Sequence, residues 1–196
     1  MASPLDEIRR SVAGSLLVLQ NRPEGLRLFD VSLAGFWRSF AVIFLLVPLL
    51  VPIVVADRLY VAGLDDVPQT TASAFYAVEA ASLLFGWIAF PAIMVPVAKW
   101  LGLGNRYIPF IVVHNWTALL PAIPFAGAAV LYLVGLLSVS GFSFVALVVL
   151  AFEAYLRYRV ARLALGASMS LAIAVTVLDL QLGILIDIGL FRLIGL

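Results

Sequence analysis

An all-α, polytopic membrane fold is predicted by three observations: five transmembrane helices form a bundle behind an N-terminal amphipathic interfacial helix. First, 64% of the 196 residues are hydrophobic and only 12% are charged, with a mean hydropathy of +1.15. A soluble domain is about half apolar and about a quarter charged, so these charges cannot cover a water-facing surface. Second, the apolar residues gather into five runs long enough to cross a hydrocarbon core of about 30 Å, which takes about 20 helical residues. Third, the runs are continuously apolar and rich in Leu, Ala and Val rather than alternating, which excludes barrel strands.

The same composition excludes a disordered chain, a disulfide scaffold and a nucleic-acid binder. No Cys and a single His leave no thiolate metal site, iron–sulfur cluster or bis-histidine haem. No cofactor and no metal are therefore expected.

Residues 1–29 read as an amphipathic segment on the cytoplasmic side. Ser3 suits an N-cap, Pro4 the first helical position and Asp6 the positive end of the helix dipole. Leu5, Ile8, Val12, Leu16 and Leu19 recur at helical spacing, with Glu7, Arg10 and Gly14 opposite. Such a helix lies on a membrane, and Asn21-Arg22-Pro23-Glu24-Gly25 ends it. It is not a signal peptide, since charges interrupt it and no small-residue cleavage site follows. It reads as an interfacial anchor or as a lipid sensor, with the plain anchor the commoner role.

The remaining residues, 30–196, form the transmembrane domain. Its spans are placed at about 36–56, 72–98, 107–137, 142–162 and 167–188, with Asp65-Asp66-Val67-Pro68 breaking the chain between the first two. Pro48 and Pro52, then Pro91 and Pro96, are expected to bend the first two spans. The third stretch holds Pro109, Pro121, Pro124 and Gly127, so it reads as one kinked helix or as two short passes. Lys and Arg accumulate on the cytoplasmic side of a membrane. Five spans place Arg9, Arg10, Arg22, Arg27, Arg38, Lys99, Arg106, Arg157, Arg159 and Arg162 on one side, and only Arg58 and Arg192 on the other. That asymmetry puts the N-terminus in the cytoplasm and the C-terminus outside, in the plasma (inner) membrane, and it favours five spans.

Ionised groups within a span cost about 2.5–3.5 kcal/mol even on insertion scales, so those that persist seek partners. Tyr76, Glu79, Ser82 and Gly86 form one stripe on the second span; Thr176, Asp179, Gly183 and Asp187 form another on the fifth. The two are expected to pack on each other, through small residues that let backbones approach and polar ones that bond across. The intramembrane cluster Glu79, Ser82, Thr176, Asp179 and Asp187 reads as a proton or cation path, or as hydrogen-bonded packing contacts. The second reading suits a short chain with no inverted repeat of broken helices. An inner-side group contains His114, Asn115, Glu153 and Arg157. Glu153 and Arg157 stand in the i, i+4 order that favours an ion pair, the arginines can snorkel to the cytoplasmic surface beside Tyr155 and Tyr158, and Glu153 or Asn115 can hydrogen-bond His114.

The inner loop Leu101-Gly102-Leu103-Gly104-Asn105-Arg106-Tyr107 leads into a span interrupted by Pro121. A basic connection, Tyr155-Leu156-Arg157-Tyr158-Arg159-Val160-Ala161-Arg162, joins the last two spans. With an N-terminal cytoplasmic segment and five spans, this order resembles the Yip1 superfamily in its bacterial inner-membrane form, over roughly residues 30–190. Phe29-Asp30-Val31-Ser32 and Gly35-Phe36-Trp37-Arg38 stand where eukaryotic members carry Asp-Leu-Tyr-Gly-Pro. The resemblance implies an α-helical protein without an enzymatic site, associated in eukaryotes with vesicle traffic. The leading expectation is a non-enzymatic scaffold that meets lipid, a membrane-protein partner or a second copy of itself. The alternative is a small proton- or cation-coupled transporter or channel. An intramembrane enzyme finds no zinc motif, catalytic aspartate pair or Cys.

Overall fold

The structure, a computed structural model, describes residues 3–63, 71–193 and 195. The acidic breaker at 65–68 lies outside the described residues. Eight α-helices account for most of what is described: α1 (Pro4–Leu19), α2 (Leu33–Ser39), α3 (Ile43–Ala62), α4 (Ala72–Trp100), α5 (Tyr107–Thr117), α6 (Leu119–Leu133), α7 (Val139–Val160) and α8 (Met169–Leu193). No strand occurs among the described residues.

Five continuous helical stretches are long and apolar enough to cross a membrane: Leu33–Ala62, Ala72–Trp100, Gly104–Leu133, Val139–Leu165 and Met169–Leu193. The third is one interrupted rod rather than two passes. It breaks at Ala118, between α5 and α6, three residues before Pro121. Proline has no N–H to give the carbonyl four residues earlier, so the helical ladder fails there. The second and fourth stretches start at hydroxyl caps: Thr71 accepts from the Ala74 N–H at 3.3 Å and Ser138 from the Gly141 N–H at 3.1 Å. The Ser138 cap carries α7 three residues further back than expected at Phe142. At its other end α7 widens into a π-helical turn, Ala161–Leu165, closed by Gly166 at φ 71°. A side chain in that left-handed conformation is strained.

The interrupted third stretch sits in the middle. Ile111, Val113 and Leu165 are fully buried, with Phe110, Val112, Met94 and Val160 packed around them. A smaller core of Ile53, Ala56, Ala126, Ala129 and Phe142 joins α3, α6 and α7. Outward faces stay apolar, with Phe44 at 75% and Leu185 at 66% exposure. That is the wrong surface for water and the right one for lipid.

In α1 the expected cap is present, since Ser3 and Asp6 exchange hydrogen bonds in a capping box. The face it packs on the protein is the small-residue one. Ser11, Gly14, Ser15 and Val18 are buried, while Leu5 and Leu16 remain exposed. Gly14, read as lying on the polar side, is at the contact, because small residues bring the helix close to its neighbours. A Cβ on Gly25, in the 3₁₀ turn Pro23–Leu28, would fall 2.7 Å from the Leu17 Cβ and 2.8 Å from the Gly14 carbonyl oxygen. Arg38 ties the assembly from α2, reaching Glu7 at 2.9 Å and Asp30 at 2.5 Å.

The Ser32 side chain and backbone N–H, then Arg38, hold the Asp30 carboxyl below its ordinary value. A carboxyl lowered in the folded state adds stability that is present above its unfolded titration and lost as pH falls through the folded one. Amide exchange in α2 is therefore expected to accelerate only on acidification below the ordinary carboxylate range, and to lose that acid dependence in Asp30→Asn.

Candidate functional site

Arg157 lies at the centre of the polar groups inside the bundle. Its Nε and Nη2 donate to Glu153 Oε1 at 3.0 and 2.5 Å, one turn back on α7. Its Nη1 donates to Asp179 Oδ2 on α8 at 2.5 Å and faces both ring nitrogens of His114 on α5, Nε2 at 2.9 Å and Nδ1 at 3.3 Å. Guanidinium only donates, so the imidazole nitrogen that pairs with it is an acceptor. Asp179 Oδ2 stands 3.7 Å from His114 Nδ1. Phe90 of α4 stacks on the imidazole, with ring centres 4.8 Å apart.

One permanent cation on α7 thus faces two carboxylates, one on α7 and one on α8, with His114 of α5 beside them. Side-chain exposure is 9% for Asp179, 11% for His114, 22% for Arg157 and 30% for Glu153. Counted along the continuous apolar stretches at 1.5 Å per residue, the four lie roughly 12–18 Å from the nearer ends. The expected Glu153–Arg157 pair is present. Arg157, however, does not snorkel to the end of its helix: Asp179, at the same level on α8, draws it inward. Asn115 leaves this group and donates from Nδ2 to Ser39 Oγ at 2.9 Å, with both residues buried. Asn115→Ala would remove the donor that the Ser39 hydroxyl accepts from, while that hydroxyl's own bond to the Phe36 carbonyl remains, and is expected to lower stability by about 0.5–1.5 kcal/mol in an unfolding titration.

Asp179 was expected beside Glu79 and Asp187, and the structure separates them. On an α-helix eight residues turn through about 80° and rise about 12 Å, so α8 turns Asp179 toward Arg157 and Asp187 toward α4. Glu79 and Ser82 lie near Asp187, and Asp57 of α3 joins them. Phe75 and Phe191 close the far end of this contact, with ring centres 5.4 Å apart, and Arg58 sits over the Phe75 ring. Thr176 is buried on α8, with no hydrogen bond to its hydroxyl. The stripes do meet, but the glycines are not the reason: a Cβ on Gly86 or Gly183 would find nothing within 4 Å.

Two ties had no sequence signal beyond their residue type. The indole N–H of Trp87 donates to the Phe40 carbonyl, and the Tyr107 hydroxyl to the Pro91 carbonyl. Among the described residues no group of three or more His, Cys, Asp or Glu is placed to hold a metal ion. No family model, curated protein or solved structure matches the chain.

Proposed function

We propose that this chain is a non-enzymatic, multi-pass protein of the inner membrane, Yip1-like in kind, whose cytoplasmic face is a scaffold that meets the lipid interface and a protein partner. The observation that carries the reading is the way α1 is held. Its small-residue face is spent on the bundle, which leaves Leu5 and Leu16 outward, while Leu33 and Trp37 of α2 are 63% and 66% exposed. The Arg38–Glu7 ion pair brings those two helices side by side. An apolar edge with a tryptophan and flanking arginines suits the headgroup boundary.

The transport reading finds less support. The acids it needs fall into two groups, and in one of them Asp179 is already engaged, with Glu153, by the guanidinium of Arg157.

The chain contains no Cys, so single cysteines introduced at Leu5, Leu16 and Glu24 take spin labels without background. In reconstituted vesicles the labels at 5 and 16 are expected to be relaxed by oxygen, which partitions into lipid, and the label at 24 by a water-soluble nickel complex. Water-exposed labels at 5 and 16 would remove the observation on which the proposal stands. The vesicles are also expected to pass no protons or cations above protein-free background. A flux abolished by Asp179→Asn would replace this proposal with the transporter.

A further inference from the structure

We infer that one structural water molecule occupies a cleft beside the Arg157 cluster, bridging it to the proline break of the third span. The cleft lies between α5, α6 and α7, and its polar walls are His114, Thr117, Glu153 and Arg157, with Ala118 and Pro121 beside them. Its walls leave about 10 Å³ for the centre of a water molecule. That is room for the centre of about one water.

The walls also supply what a buried water needs, two to four polar partners. Pro121 has no N–H, so the carbonyl of Thr117, four residues earlier, lacks its helical donor. The Thr117 hydroxyl does not help, because it donates to the His114 carbonyl at 3.0 Å. Both Arg157 donors that reach Glu153 fall on Oε1, which leaves Oε2 available. A water can donate to the Thr117 carbonyl and to Glu153 Oε2 while accepting from the guanidinium. In hydrocarbon those acceptors have no other solvent, and an unmet backbone group there costs several kcal/mol. A metal cation is the poorer occupant, because among the described residues no three His, Cys, Asp or Glu are grouped to hold one.

The test uses the full chain in lipid bilayers. His114 is the sole histidine, so labelled imidazole gives a single solid-state NMR signal, and magnetisation transferred from water to it can be followed. Transfer to the ring is expected to build up several-fold faster than to the backbone amide of the adjacent Val113. Ala118→Val, which puts methyl groups into the cleft, is expected to remove most of that difference, while Ala151→Val on the lipid face leaves it intact. A ring that gains water magnetisation no faster than Val113, or a difference that survives Ala118→Val, would overturn the proposal. If Ala118→Val does not fold, the wild-type comparison between the ring and Val113 decides.

Discussion

Arg157→Met is expected to lower the stability of the bundle by about 3–5 kcal/mol, the usual cost of removing one partner from a buried ion pair. Methionine keeps the length and the apolar stem of the side chain, so lost packing contributes little. What remains is two carboxylates, Glu153 and Asp179, at one level inside the helices with their shared cation gone. Denaturant unfolding in mixed micelles reads the loss directly. The triple variant with Glu153→Gln and Asp179→Asn as well is expected to recover most of it, since charge rather than shape is at stake. A loss below about 1 kcal/mol for Arg157→Met would place the cluster with exposed surface pairs.

Gly25→Ala is expected to release α1 from the bundle, at a cost of about 1–3 kcal/mol, the range for overpacking a tight contact. The added Cβ would overlap the Gly14 carbonyl and the Leu17 Cβ, and Leu17 belongs to the same small-residue contact. Gly14→Ala is expected to cost less, because its nearest obstacle is the edge of the Phe29 ring, a side chain that can shift. Trypsin cleavage at Arg27, followed against the intact bundle, reads the opening. Cleavage should rise about tenfold or more in Gly25→Ala, while the helical content of the bundle stays unchanged. Cleavage at the wild-type rate would show that the contact does not hold α1 in place.

The five apolar rods were legible because length and composition alone decide whether a helix can cross hydrocarbon. The start of α1 was legible too, since Ser3, Pro4 and Asp6 form a local device with no distant partner. The Ser138 cap is as local, but the apolar run that marks the span begins only at Phe142, so hydropathy alone places the start of α7 three residues late. Which face of α1 meets the bundle was not legible, for a different reason. Periodicity finds the apolar stripe, but whether that stripe meets protein or lipid depends on how near the neighbours come, which Gly14 and Gly25 set.

The candidate site divides in the same way. Glu153 and Arg157 pair within one helix, and their spacing gives that pair in the sequence. Asp179 comes to the same guanidinium from α8 and His114 from α5, and no spacing along the chain encodes a contact between helices. Asn115 found Ser39 across the bundle, where its neighbour in sequence, His114, had been the expected partner.

By itself, then, the sequence determined which segments are helical and apolar enough to cross a membrane, and that ionisable groups would lie inside them. Both follow from the free energy of moving residues out of water, a property of each segment alone. Only the tertiary structure decided which buried charge meets which and which side of α1 is covered. Those outcomes depend on helix rotation and on distances of a few ångströms between segments far apart in the chain.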